Sequence, residues 1–243
     1  MKIVAIIQAR MGSTRLPGKI MKKVLNKPLF EYQIERVKRS KLIDEIVVAT
    51  TTKKSEQPII NLCEHLSIPY FRGSEDDVLS RYYEAARKYQ ADVIVRLTSD
   101  CPIIDPVIID KVVNAFLTNK EKYDYASNTL KRTYPRGMDT EVFPIDVLEK
   151  AHNEANFKSE REHVTPYIYN NPLEFNLLSV ENSNNASKYR WTVDTKEDLL
   201  LISRIISTLY KRNDKFNLKE ILELIHQNPN WSKINETVEQ KSI

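Results

Sequence analysis

A chain of 243 residues, 41% apolar and 29% charged, is long enough to bury one substantial core and has the balance of an ordinary globular protein. Its net charge of +4 is too mild to argue for a nucleic-acid partner, and no apolar run approaches the roughly 18–20 residues that span a bilayer. The two cysteines, Cys63 and Cys101, stand far apart and fit reduced structural thiols rather than a disulfide framework. The opening MKIVAII is too short for a signal-peptide core and lacks a small-residue cleavage site, so a cytoplasmic protein starting at Met1 is expected.

In chain order, KIVAII predicts a buried strand over Lys2–Ile7, a β-branched run that ends at a glycine-containing loop. Phe30, Ile34 and Val37 recur at helical spacing and place a helix over Leu29–Ser40. DEIVVATT reads as a second strand near Glu45–Ala49. SEQPIINLCEHL reads as a helix with Ser55 as a candidate cap and Pro58 in its first turn. IPYFRG is a short extended piece, and EDDVLSRYYEAARKY is a helix opening on acids. ADVIVRLTSD is a further apolar strand ending at Asp100, followed by a helix over Pro106–Leu117. Strands alternating with helices predict βαβ units and a parallel sheet covered on both faces.

The second half is less regular. YDYASN, DTEVFP and EFNLLSVE read as strands, IDVLEKAHNEA and REHVTPYIYN as helices, and ENSNNASKY as a polar loop. EDLLLISRIISTLY and NLKEILELIHQN are closing helices, and residues 229–243 read as a tail. No repeat or linker divides the chain, so residues 1–228 are expected to form one α/β domain with an elaboration over 128–187.

QARMGSTRLPGK, Gln8 to Lys19, is the densest chemical signal. Between Met1 and Lys41 there are eleven Lys/Arg and two acids, and the loop itself carries Arg10, Arg15 and Lys19 with two of the four glycines. A loop after the first parallel strand lies at the carboxyl end of the sheet, where such folds bind ligands. Glycines let a phosphate approach the backbone, Ser13 and Thr14 add hydroxyl donors, and the cations add charge. The spacing is not that of a P-loop: five residues separate Gly12 from Gly18, and Ile20 rather than Ser or Thr follows Lys19. The loop therefore predicts a polyphosphate site of another kind. Asp100, at the end of a parallel strand, is placed to face such phosphates across a Mg²⁺ ion. A nucleic-acid module is disfavoured because no aromatics are interleaved with the basic residues.

ARMGSTRLPGK, RGSEDDVLSRY, VRLTSDCP, YPRGMDTEVF, SEREHVTPYIY and RWTVDTKEDL together resemble the cytidylyltransferases that make CMP-activated acidic sugars. These are the CMP-octulosonate and CMP-acylneuraminate synthetases and, most nearly, the spore coat polysaccharide biosynthesis protein F group. The resemblance runs from Met1 to about Leu209 and implies a three-layer α/β nucleotidyltransferase fold, Rossmann-like and of GT-A type. It also implies a mostly parallel sheet, an inserted acceptor or dimerisation element, a homodimer, CTP as donor and Mg²⁺ as cofactor. Arg10, Gly12, Ser13, Arg15 and Lys19 would line the CTP phosphates, and Arg72, Ser74 and Arg81 would serve the base or ribose. Thr98 stands where the octulosonate synthetases carry a glutamine. Asp100 and Asp194 would hold the metal, with a helix N-cap as the alternative for Asp194. Arg136, Asp139, Glu141, Glu160, Arg161 and His163 are the acceptor candidates, Asp139 and Glu141 alternating onto one strand face.

The expected reaction is attack of a sugar hydroxyl on the α-phosphorus of CTP with loss of pyrophosphate, Arg10, Lys19 and the Asp100-held metal neutralising charge. No general base stands out. The rival reading is a metal-dependent glycosyltransferase of GT-A type, whose DxD pair would have to be supplied by Asp100 and Asp105.

Overall fold

The computed structural model describes residues 1–240. Its centre is β1 (Ile3–Gln8), a run in which Val4, Ala5, Ile6 and Ile7 are all fully buried. A strand with helices on both faces has no solvent side, so its apolar residues run continuously instead of alternating. After a loop, a single 3₁₀ turn (Lys19–Met21) leads to a small ribbon, β2 (Lys23–Val24) and β3 (Lys27–Pro28). Its two linking residues, Leu25 and Asn26, both have positive φ, the geometry that matches a tight hairpin to strand twist.

Then come α1 (Leu29–Val37), β4 (Glu45–Thr51), α2 (Gln57–His65), β5 (Tyr70–Gly73), α3 (Val78–Lys88), β6 (Val93–Thr98) and α4 (Pro106–Asn119). Ser55 does not cap α2; it lies in a 3₁₀ turn, Lys54–Glu56, that leads into the helix. The remainder is β7 (Tyr125–Ser127), β8 (Glu141–Pro144), α5 (Ile145–Glu154), α6 (Lys158–His163), α7 (Pro166–Tyr169), β9 (Leu177–Ser179), α8 (Lys196–Leu209), α9 (Leu218–Gln227) and α10 (Pro229–Ser232).

The seven-stranded sheet runs β5-β4-β1-β6-β8-β7-β9. The first four strands are mutually parallel, while β8 is antiparallel to both its neighbours. Alternate residues of β1 point to opposite faces. Ala5 and Ile7 join Phe30, Ile34, Leu62 and Val112 under α1, α2 and α4, whereas Val4 and Ile6 join Leu79, Tyr82 and Leu148 under α3 and α5. This is the three-layer α/β arrangement expected of a nucleotidyltransferase. A third cluster, around Trp191, Ile202, Ile205 and Ile221, packs α8 and α9 beside the sheet and takes Leu16 of the opening loop.

Two elements differ from the sequence reading. REHVTPYIYN is two short helices, because Val164 has φ 74 and ψ −54 and the Thr165 amide donates to the His163 carbonyl at 2.9 Å. That is a tight γ-turn, a strained conformation for a β-branched residue. Of the expected tail, residues 229–240 form α10 and then a segment packed on the fold, with Asn235 buried, and 241–243 lie outside the described residues. Among the described residues no helix is long and apolar enough to cross a membrane.

Candidate active site

β4 and β5 lie on one side of β1 and β6 on the other, so the loop after β1 opens into the crevice where strand order reverses. The buried Glu56 carboxylate accepts from the Met11 amide at 2.7 Å, and the Gly18 amide returns to the Met11 carbonyl at 3.1 Å. Gly18, at φ 63, makes the turn that sends Lys19 inward. Gly12 is different. A Cβ built there meets nothing within 4 Å and its φ is not left-handed, so nothing in the folded chain requires a glycine. The amides of Gly12 and Ser13 have no hydrogen-bond partner among the described residues.

Lys19 reaches across the crevice and joins two distant carboxylates, its Nζ 3.1 Å from Asp100 Oδ2 and 2.7 Å from Asp194 Oδ1. A backbone hydrogen bond brings them together: the Val193 amide donates to the Asp100 carbonyl at 2.9 Å, which seats segment 190–194 just beyond the end of β6. Burial opposes the charge on Asp100, yet Lys19 and a 2.7 Å hydrogen bond from Thr98 Oγ1 hold its pKa down at about 2. Burial likewise works against the Lys19 ammonium, but the two carboxylates outweigh it and its pKa is raised. Asp194 is not the helix cap. Thr195 caps α8, and Asp198 completes a capping box with it.

Two more cations converge on Asp194 Oδ2, Arg15 at 3.1 Å and Arg190 at 2.5 Å. Arg190 is nearly buried and also pairs with the fully buried Asp198 at 3.1 Å. A pair of carboxylates, hard oxygen donors sharing one cation, is the set that Mg²⁺ takes when phosphate oxygens and water complete its shell. Among the described residues no group of three or more potential ligands forms a closed cage.

Several predicted residues lie elsewhere. Arg10 is exposed and makes no ion pair among the described residues; its charge is felt by Arg81 and His163 instead. Ser13 Oγ accepts from the Leu16 amide at 3.4 Å, inside the loop. Arg72 clasps the end of β4 through the carbonyls of Thr51, Thr52 and Lys53. Arg81 is a buried brace, 2% exposed, that grips the Ser74 carbonyl, while Ser74 Oγ accepts from the Asp77 amide. Thr98 supports Asp100 rather than facing outward.

The acceptor candidates are dispersed. Glu141 is buried and held by Arg96, by Tyr125 at 2.5 Å and by Thr165 at 2.6 Å, and Asp139 lies before β8 begins. Asp139 forms a two-pronged pair with Arg132, at 2.6 and 2.9 Å. Glu160 caps α6, and Arg161 ties α6 to Asp77, the cap of α3. These four are committed to internal contacts. His163 is half-buried, and burial first, then Arg96 and Arg10, press its pKa below the usual value against the pull of Glu162. Arg136 remains open to a ligand, with no hydrogen bond or ion pair from its guanidinium among the described residues. Asp105, needed for a DxD pair, is buried as the cap of α4 and accepts from Leu218 at 2.7 Å. Arg190 and Asp198 escaped the sequence reading, although both lie within RWTVDTKED, a stretch already singled out.

The pattern describing cytidylyltransferases matches residues 4–239. The spore coat polysaccharide biosynthesis protein SpsF of Bacillus subtilis is 33% identical, over 93% of this chain and 95% of its own length. A solved cytidylyltransferase from Leptospira borgpetersenii is 37% identical with a TM-score of 0.92, covering 100% of both chains. A solved CMP:2-keto-3-deoxy-manno-octonic acid synthetase, complexed with CTP, has the same fold at TM-score 0.66 and 19% identity, over 85% of this chain and 99% of its own.

Proposed function

This chain belongs to the cytidylyltransferase family and is a nucleotidyltransferase, and on that premise we propose that it transfers CMP from CTP to an acidic sugar of the octulosonic or nonulosonic kind, releasing pyrophosphate, for surface polysaccharide synthesis. The observation that carries this reading is Lys19 of the opening loop bridging Asp100 and Asp194. It joins an anion-seeking loop to a carboxylate pair in one crevice.

The residues divide the work by chemistry. The amides of Gly12 and Ser13 are donors for phosphate oxygens, and a residue without a side chain at Gly12 lets phosphate come close. Lys19, held charged by its neighbours, supports the triphosphate and the departing pyrophosphate. Arg15, already over Asp194, serves the same phosphates. Asp100 and Asp194 would hold Mg²⁺, which supplies charge neutralisation at phosphate and a lowered pKa for the acceptor hydroxyl. The chain's own contribution is positioning and preorganised charge, which suits in-line phosphoryl chemistry.

A homodimer is part of the reading. Phe157 and Leu173, both largely exposed on the 128–187 elaboration, support a pairing surface there. The glycosyltransferase alternative lacks its second carboxylate, since Asp105 is consumed in capping. Incubation with CTP, Mg²⁺ and a panel of 2-keto-3-deoxy sugar acids, following pyrophosphate, tests the proposal. Release that depends on both CTP and an acid supports it, and release with none of the panel refutes it.

A further inference from the structure

Beside the aspartate pair lies a cavity of about 350 Å³, within the usual range for small-molecule pockets. Its cations are Arg136, Lys188 and Arg190, and the single acid lining it is the exposed Glu236. One wall is the segment 232–240. Asn235 seats that wall, donating to the Arg190 carbonyl at 2.9 Å and to Asp198 Oδ1 at 2.8 Å. The Glu239 carbonyl accepts from Arg15 at 3.3 Å, so the wall also reaches the opening loop.

Three groups in this cavity are under-used. Arg136 makes no hydrogen bond or ion pair through its guanidinium among the described residues and feels Asp139 only through space, whereas its neighbour Arg132 is fully paired with that carboxylate. Trp191 is wholly buried, yet its indole N–H has no acceptor. Arg190 spends Nε and one terminal nitrogen on Asp198 and Asp194, but its other terminal nitrogen, Nη1, rests on the neutral side-chain oxygen of Gln240 at 2.5 Å. Unpaired buried donors are costly, and a guanidinium prefers a carboxylate to an amide.

The two arginines are also fixed relative to each other. The Arg136 amide donates to the Tyr189 carbonyl at 3.0 Å and the Trp191 amide to the Arg136 carbonyl at 2.7 Å. Gly137 permits this approach: a Cβ there would fall 2.7 Å from the Trp191 carbonyl carbon.

We propose that this cavity seats the acid group of the acceptor between Arg136 and Arg190, with the 232–240 segment as its specificity wall and Gln240 occupying the position on Arg190 that the acid takes over. The proposal rests on the transferase reading and names a subsite for it. The guanidinium that holds Gln240 also holds Asp194, so an acid bound there lies next to the carboxylate pair.

Calorimetric titration with 2-keto-3-deoxy sugar acids and their uncharged methyl esters tests it, thermal melts confirming that each variant is folded. The acid binds the wild type at least about tenfold tighter than its ester. Gln240→Glu, which supplies a competing carboxylate, weakens the acid by about tenfold or more and leaves the ester unaffected, while Gln240→Ala tightens the acid. Arg136→Gln removes the preference for acid over ester. Equal binding of acid and ester, no binding of any acid, or Gln240 variants indistinguishable from wild type overturns the proposal. Pyrophosphate release separates it from the broader reading. Release that persists unchanged in Arg136→Gln and Gln240→Glu overturns the cavity alone; acid binding with no CTP-dependent release overturns the transferase alone.

Discussion

The Lys19 ammonium lies 2.7 Å from the Asp194 carboxylate, although 175 positions separate the two in the chain. Removing that ammonium takes away the cation that bridges Asp100 and Asp194 and leaves Asp100 without an ion-pair partner among the described residues. Lys19→Met is therefore expected to lower turnover by about 10²–10³, the cost of losing a preorganised charge. Pyrophosphate release measured at saturating CTP checks it, and near-wild-type turnover would refute the assignment.

Asp100 gives a pH dependence with a definite sign. Its pKa is about 2 in the folded chain against an ordinary value of 3.8. Below pH 3.8 the unfolded chain gains a proton that the native state still refuses, so stability falls as pH drops from about 4 to about 2. Denaturant titrations across that window should show the loss. In Lys19→Met the loss should shrink, because the ammonium that depresses Asp100 is gone.

Gly12 and Gly137 should behave oppositely. Gly12→Ala adds a methyl to open space, so the melting temperature should hardly change while the Kd for CTP rises. Gly137→Ala places a Cβ 2.7 Å from the Trp191 backbone at φ 102, and should cost more than about 1 kcal/mol of stability. Thermal melts paired with CTP titration distinguish the two. A large stability loss in Gly12→Ala would contradict the phosphate role given to that glycine.

Glu141 is expected to act as a structural partner. Glu141→Ala strands the buried Arg96 charge and should destabilise the fold by roughly 3–5 kcal/mol in chemical denaturation. If Glu141 instead bound the acceptor, the variant would raise the acceptor KM with little loss of stability.

His163 should titrate below its ordinary value of 6.5 by NMR, burial being the first cause. Replacing Arg10 by alanine removes a nearby positive charge and should move that titration upward. An unchanged His163 would place Arg10 away from it.

The sequence disclosed what local pattern can carry. IVAII, IVVAT and VIVRL are unbroken apolar runs, and they became the parallel centre of the sheet. Gly18 and Lys19 were legible because a turn residue and a cation stood together in a loop after a strand. Glu141 reads as an acceptor contact because it alternates with Asp139, and nothing local in the sequence signals that it is buried. Its real partners, Arg96, Tyr125 and Thr165, meet it only through strand pairing and the insert. The break at Val164 violates the preference of a β-branched residue, so no propensity announces it. Arg190 and Gln240 were obscure for a similar reason: a polar stretch after Pro229 has no periodicity to reveal that it folds back over the site.

The most direct test follows a radiolabel placed on the α-phosphate of CTP through a reaction with Mg²⁺ and the sugar-acid panel. The account predicts that the label appears in an acid-sugar product as pyrophosphate leaves unlabelled, and that Lys19→Met suppresses the transfer. Label that never reaches any acid, or that reaches it equally well without the Lys19 ammonium, would contradict it.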